Sequence, residues 1–414
     1  FANMRLIAFL PVLLWVCALP LTGQVTPGDA RFEEYLPLLK DQRVGIVCNH
    51  TAVIPNTDGS SAHFVDTLMR LGVNVTAAFG PEHGFRGDLP DGTHAPDGTD
   101  PSTGLPVHSL YGTHKKPTAA QLADLDVVLF DVQDVGVRCY TFLSTLVLVM
   151  EACAEQSLPL IVLDRPNPNG HLVGGPMLDT ASVRSFVGFL PIPLSHGMTL
   201  GELAEMANGE GWLGGGYSAS PNPAIQCDLT VISCTGWSRN ARWSAPIAPS
   251  PNLPTLAAVQ LYPHLVLLEA TTASVGRGTA APFTKVGFPG FVRGPISFTP
   301  TPNAASRYPK HAGKPCQGFS VLRRLGSWQA QGTDNRLKLE VLNELHEAWM
   351  NTPAGDQNPF IDRPQFFDQL SGGSELRLAL EAEEGLEALQ NKWGMQRARF
   401  MEMRSVYLRY PTSP

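Results

Sequence analysis

Val127-Val-Leu-Phe-Asp131-Val-Gln-Asp134, the apolar stretch from Thr141 to Glu155, and Leu160-Ile-Val-Leu163-Asp-Arg-Pro-Asn-Pro168 follow one another in the chain. They read as strand, helix and strand. Both short runs are apolar without alternation, the mark of strands buried on two faces. A helix between two such strands brings them back side by side and parallel. The pattern repeats upstream. Val44 to Cys48 is an apolar run ending in Asn49-His50-Thr51. Phe64, Val65, Leu68, Met69 and Leu71 recur at helical spacing, and Val73 to Phe79 reads as the next strand. A further helix is expected from Thr118, a good N-cap after Pro117. The fold class that follows is α/β: a doubly wound, Rossmann-like parallel sheet with helices on both faces.

In open sheets of this kind ligands bind outside the carboxyl ends of the strands. Four strand ends deliver polar groups there: Asn49 and His50; Glu82 and His83; Asp131, Gln133 and Asp134; Asp164 and Arg165. Glu82 and His83 form the leading pair, because Gly80, Gly84 and Gly87 allow tight turns and close approach of a ligand. A carboxyl group in a partly dry cleft suits a general acid; the competing reading is a loop tied by hydrogen bonds to backbone amides. Asp131 or Asp134 is a candidate second carboxylate, or else caps the helix from Thr141 or pairs with Arg138. Asp164 and Arg165 read as an internal ion pair. His196 precedes Thr199-Leu-Gly-Glu202, a capping box that opens a helix; it is either a ligand contact or a loop histidine.

The chain has 414 residues, net charge −7 and no long basic run, so no nucleic-acid partner is expected. Met4-Arg5 and the apolar stretch to Leu21, broken by Pro11 and Pro20, read as a signal peptide over residues 1–23. It is short for a membrane span, so no stable membrane insertion is expected once it is removed. The mature protein is expected to begin near Gln24 and to be exported, periplasmic or secreted. Export permits disulfides, and Cys227 and Cys234 are close enough to pair. No zinc spacing occurs, and His50, His83 and Asp131 make no diagnostic ligand set, so neither metal nor cofactor is expected. Gly209-Glu-Gly-Trp-Leu-Gly214 has the dinucleotide pattern but follows a helix, the wrong context. Ser- and Cys-nucleophile motifs are absent. The proline-rich stretch Trp243 to Thr255 divides a catalytic domain, 24–255, from a smaller α+β C-terminal domain, 256–414, that completes the cleft. The latter carries Ser274-Val-Gly-Arg-Gly-Thr279 and helices expected over Glu375–Leu380 and Glu383–Trp393.

Seven ordered motifs then resemble a known family: Gly80-Pro-Glu-His-Gly-Phe-Arg-Gly87, Ser109-Leu-Tyr-Gly112, Asp131-Val-Gln-Asp-Val-Gly-Val-Arg138, Asp164-Arg-Pro-Asn-Pro168, His196-Gly-Met-Thr199, Pro249-Ser-Pro-Asn-Leu-Pro-Thr255 and Gly276-Arg-Gly-Thr279. Together they resemble the exo-β-N-acetylmuramidase NamZ family, long classed as a domain of unknown function. The resemblance implies a glycoside hydrolase without a nucleotide that releases terminal N-acetylmuramic acid from the non-reducing end of peptidoglycan-derived saccharides. It makes Glu82 the catalytic acid, with His83 and Arg86 in the same loop. The second role falls to Asp131, Asp134, Glu269 or the substrate's own acetamido group. The lactyl carboxylate of that sugar needs a cation, for which Arg86, Arg138 and Arg277 are candidates. Tyr111 or Tyr140 would stack on the ring, and Asn49, His50, Gln133, Asp134, His196 and Glu269 are further contacts. His50 stands where glutamine is expected, and Glu269-Ala-Thr-Thr272 where the family usually has Glu-Gly-Thr-Asn. The alternative is a non-catalytic wall-glycan-binding protein on the same fold.

Overall fold

A computed structural model describes residues 25–55, 59–87, 96–214, 225–292, 294–332, 336–382 and 386–413. The expected signal segment lies outside them, as does Glu383. The central sheet has seven strands: β1 (Val44–Cys48), β2 (Val75–Gly80), β3 (Gly98–Thr99), β4 (Pro106–Ser109), β5 (Val127–Asp131), β6 (Leu160–Leu163) and β7 (Leu229–Ile232), in the order β7-β6-β5-β1-β2-β4-β3. Every pairing is parallel except that of the two-residue edge strand β3 with β4. Strand order reverses at β1, whose neighbours are β2 and β5. Alternate residues serve opposite cores: Val47, Val128 and Phe130 on one face, Ile46, Leu129 and Ile161 on the other. That explains why these strands are apolar throughout.

Helix α1 (Phe64–Arg70) buries Phe64, Val65 and Leu68 against one face, while α2 (Phe142–Glu155) lies on the other. The capping box forms as expected at α3 (Leu200–Gly209): the Thr199 hydroxyl accepts from the Glu202 amide, and the Glu202 side chain accepts from the Thr199 amide. At Thr118 the same device opens only one turn, Ala119–Leu122. In the C-terminal half, α4 (Leu256–Leu265) is capped by Thr255 and shares a core with a three-stranded antiparallel sheet, β8 (Lys285–Phe288), β9 (Ile296–Phe298) and β10 (Cys316–Ser320), in the order β8-β10-β9. Helices α5 (Pro364–Ser371) and α6 (Glu387–Arg404) follow; α6 overlaps the expected Glu383–Trp393 and runs on to Arg404. Phe367 and Phe400 join the core that holds Val128 and Phe130.

Beneath the strand ends lies a layer of buried polar groups, and it takes up several residues expected in the site. Asp131 is fully buried and receives Arg165 Nε at 2.5 Å and Nη2 at 2.9 Å; the same Nη2 reaches Asp29 at 2.6 Å. Asp131 is therefore a structural counter-ion, not the second catalytic carboxylate. The expected Asp164–Arg165 pair does not form, because Asp164 instead accepts from Thr199, Gly201 and Tyr410 and so anchors the start of α3. Asn49 accepts from Thr51 in a local turn, and Gln133 donates to the carbonyls of Asp134 and Pro166. The Arg138 guanidinium is fully buried and donates to the carbonyls of Pro176, Ile192 and Leu370. It is closed to any ligand. His196 is fully buried with Nδ1 accepting from the Met198 amide, and desolvation beside Arg404 and Arg138 pushes its pKa down to about 3. It is a neutral scaffold histidine. The six described cysteines are all buried and free, so Cys227 and Cys234 do not pair; the Cys234 thiol donates to the Asp164 carbonyl.

Two predictions follow from this layer. Arg165→Met leaves Asp131 and Asp29 as uncompensated buried carboxylates, and urea unfolding should register a loss of about 3–5 kcal/mol. Asp134 is the second case. Burial pushes its carboxyl up to about 7, offset only in part by the amides of Gly136 and Val135. Between its unfolded value and about 7 the folded state keeps a proton that the unfolded chain has released, so this group costs stability as pH rises, about 1.4 kcal/mol per pH unit. The melting temperature of Asp134→Asn should therefore gain on wild type from pH 5 to 7 and level off above it. A constant difference across that range would refute the assignment.

Candidate active site

Strand β2 delivers Glu82 two residues beyond its last hydrogen-bonded position. The chain reverses at once, with the Gly84 amide on the Pro81 carbonyl at 2.9 Å. His83 takes φ +73°, a left-handed conformation that costs a non-glycine residue on the order of 1–3 kcal/mol and is typical of functional turns. Gly80 is required because a Cβ there would lie 2.8 Å from the Phe85 amide nitrogen. Arg86 fastens the loop from below. It is bidentate to Asp66 on α1 at 2.9 and 3.0 Å and to Asp100 at 2.7 and 2.9 Å. Its charge is committed to two carboxylates, so it is a staple and not an anion reader. His50 also lies under the loop, with Nε2 at 3.0 Å from the Ala248 carbonyl and its ring 6.5 Å from that of His83. A Cβ on Gly87 would strike it.

Above this base opens a cleft of about 1240 Å³ between the strand-end loops and the C-terminal half. Six of the sequence-expected residues meet in it: Glu82, His83, Tyr111, Tyr140, Glu269 and Arg277. Asn49, His50, Arg86, Asp131, Gln133, Asp134, Arg138 and His196 do not line it. The Leu110 amide donates to the Gly80 carbonyl at 2.8 Å, which sets the Tyr111 and Glu82 loops side by side. The Thr141 hydroxyl, at the N-cap of α2, donates to Glu82 Oε2 at 2.7 Å and fixes the carboxylate at the wall. Thr141 was legible in the sequence only as a helix start. The Tyr140 hydroxyl donates to the Pro249 carbonyl at 2.7 Å, and its ring meets Phe142 and Tyr262 edge-on, forming a rigid aromatic wall.

The C-terminal half supplies the facing charges. Glu269, in the turn after α4, receives Arg277 Nε at 2.5 Å, and the guanidinium carbon of Arg277 lies 5.3 Å from the Phe283 ring centre. Lys310 Nζ donates to Asp362 at 2.8 Å and to the Thr271 carbonyl. Lys115, Lys310, Asp362 and the aromatic Tyr262 line the cleft without having carried any signal in the sequence, because each sits on irregular backbone or inside an apolar run. The arrangement offers a held carboxyl group, a second carboxylate beside a guanidinium, aromatic walls, and room for more than one sugar. Among the described residues no group of three or more His, Cys, Asp or Glu is placed to hold a metal ion, and no helix is long and apolar enough to cross a membrane.

Comparison with known proteins gives the family and the fold. Residues 44–257 match the model of the N-terminal part of exo-β-N-acetylmuramidase NamZ, and residues 260–410 match its C-terminal part. The chain is 35% identical over 406 residues to the peptidoglycan β-N-acetylmuramidase NamZ of Bacillus subtilis strain 168, covering 92% of this chain and 90% of that protein. Two crystal structures of DUF1343 family proteins from Bacteroides fragilis superimpose on it. One has TM-score 0.80 at 38% identity, over 94% of this chain and 99% of the other. The second has TM-score 0.77 at 29% identity, over 93% and 99%. With both halves matched and the Glu82 loop seated at the cleft, the chain belongs to the exo-β-N-acetylmuramidase NamZ family.

Proposed function

We propose that this chain is an exo-acting glycoside hydrolase that releases terminal N-acetylmuramic acid from the non-reducing end of peptidoglycan fragments, with Glu82 as its general acid. The observation that carries the reading is the Glu82 carboxyl, held by Thr141 at 2.7 Å on the wall of a cleft large enough for more than one sugar. Glu82 transfers its proton to the glycosidic oxygen as the bond to the anomeric carbon breaks, and positive charge develops on the departing ring. With Asp131 and Asp134 buried in the scaffold, Glu269 is the carboxylate of the cleft left for the second role, beside the substrate's own acetamido oxygen. Glu269 is itself paired with Arg277, as Asp362 is with Lys310, and is preferred because its sequence motif singles it out. Tyr111 and Tyr140 supply apolar faces for the sugar. The apolar stretch before Gln24 supports export, to the periplasm or the medium, where wall fragments arise; mass spectrometry of the protein recovered from the source cells should find an N-terminus near Gln24.

The reading is tested with a chromogenic β-glycoside of N-acetylmuramic acid beside its N-acetylglucosamine analogue. Turnover of the first alone is the expected result. Glu82→Gln should lower kcat by about 10²- to 10⁴-fold with an unchanged circular dichroism spectrum; near-normal activity would overturn the role. Thr141→Val, which removes the hydroxyl that donates to Glu82 Oε2, should lower kcat roughly tenfold with little change in KM. Binding of the sugars without turnover of either glycoside would move the weight to a non-catalytic glycan-binding protein.

A further inference from the structure

The cations that line the cleft are Lys115, Arg277, Arg307, Lys310 and Arg363, and they are held in different ways. Arg277 is committed to Glu269. Arg307 and Arg363 are exposed, so holding an anion would cost them side-chain entropy in a screened position. Lys115 is half-buried with Nζ 5.2 Å from the Phe186 ring centre, a contact that leaves the ammonium free to pivot.

Lys310 differs from these. Its side chain is one-quarter exposed, at 25%, and two acceptors hold its ammonium, the Thr271 carbonyl and Asp362 Oδ2 at 2.8 Å. An ammonium has three donors, so one N–H remains for a ligand. The backbone around it is also pinned. The next residue, His311, takes φ +59° and sets its Nε2 2.7 Å from the Thr272 carbonyl. Asp362 does not neutralise the locus, because Arg363 follows it in the chain and its charge acts on Lys310 too. Together Lys310, Asp362 and Arg363 carry one net positive charge, and Glu269, the other carboxylate that acts on Lys310, is paired with Arg277. Burial, which outweighs the help of Asp362, draws the Lys310 pKa below the usual lysine value. A partly desolvated ammonium in that state gains from an incoming anion, and a carboxylate is the anion that matches a single fixed N–H donor with a guanidinium nearby.

We propose that Lys310, fixed by Thr271 and Asp362 and backed by Arg363, binds the carboxylate of an acidic substituent on the sugar and so sets the preference for N-acetylmuramic acid over its neutral analogue. This rests on the glycosidase reading above for the identity of the sugar. It replaces Arg86, committed to Asp66 and Asp100 outside the cleft, and Arg138, fully buried, and leaves Arg277 to position Glu269.

The test compares binding of free N-acetylmuramic acid and its lactyl methyl ester by calorimetry, which removes the charge and leaves the sugar unchanged. Wild type should bind the acid roughly ten- to hundredfold more tightly than the ester, the range for a hydrogen bond to a charged group. Lys310→Met should bind both at the level of the ester, and Lys310→Arg should keep part of the preference. On the chromogenic muramic glycoside the Met variant should raise KM by a similar factor while kcat stays near wild type, a split that general loss of structure would not give. Equal binding of acid and ester by wild type overturns the proposal, and this comparison needs no variant. Full retention of the preference in Lys310→Met overturns it too. A wild type that prefers the acid yet hydrolyses neither glycoside would remove the glycosidase reading and keep the anion site; hydrolysis without any acid preference would do the reverse.

Discussion

The buried guanidinium of Arg165 holds together the part of the molecule on which everything else rests. It spans Asp131, the last residue of β5, and Asp29, in the segment that leads into the sheet. That segment runs so close to the strand ends that a Cβ on Gly28 would lie 2.4 Å from the Ile232 carbonyl oxygen and 2.7 Å from the Asp164 nitrogen. One cation between two carboxylates, all out of water, is stable only with good geometry on both sides. The direction of the Asp29 pKa agrees: burial and the nearby Asp131 raise it to about 7 against the pull of Arg165. Asp164 adds a second knot beside this one, drawing in Thr199, the start of α3 and Tyr410 from the far end of the chain. The carboxyl edge of the sheet is thereby closed underneath, and only the loops that rise past it can meet a ligand.

Height above the sheet edge separates the two kinds of carboxylate. Asp131 is the last paired residue of its strand, in register with Cys48, and so lies within the layer where solvent is excluded. Glu82 lies two residues past the last paired position of β2, and the glycine turn that follows carries it to the cleft wall. A difference of two residues turns the same functional group from a counter-ion into a candidate acid. Arg86 then serves the loop from below, as Arg165 serves the edge. In both cases the arginine is consumed by protein carboxylates, and for Arg86, which its sequence motif offered to a substrate, that removes the anion-binding role.

What was legible follows from this. β1, β5 and β6 stand where the apolar runs placed them, residue for residue in all three, because burial on two faces leaves an unbroken signature. The edge strands carry no such mark, since β3 is two residues long and β7 is half-exposed. The antiparallel sheet of the C-terminal half was also hidden. Its strands are short and carry glycines where backbones close in, as at Gly287, whose Cβ would fall 2.1 Å from the Gln317 carbonyl oxygen. In the site, Glu82, His83, Tyr111, Tyr140, Glu269 and Arg277 were readable from motifs. Arg138 was misleading because its acceptors are main-chain carbonyls, a partner that every residue carries and no pattern reveals. Lys310 and Asp362 were invisible for the opposite reason: their pairing spans 52 residues of irregular chain.

The two halves contribute different things to the cleft, and their shared core determines how they can change. Glu82 and its partner Thr141 come from the strand-end loops and a helix start, both anchored on the parallel sheet. The charged groups of the other wall, Arg277, Lys310 and Asp362, come from loops of the C-terminal half. Val128, Phe130, Phe283, Phe367 and Phe400 belong to one continuous core, so the walls are packed against each other and not joined by a mobile linker. Close packing transmits displacement. Substitutions under the C-terminal loops should therefore act first on which sugar is held, and on the reaction itself only when they shift the shared core enough to move α2 and the Thr141 hydroxyl that fixes the carboxyl group. In this architecture the charged loops of the C-terminal wall can change while Glu82 stays in place, because Glu82 is anchored to the sheet and those charges are not.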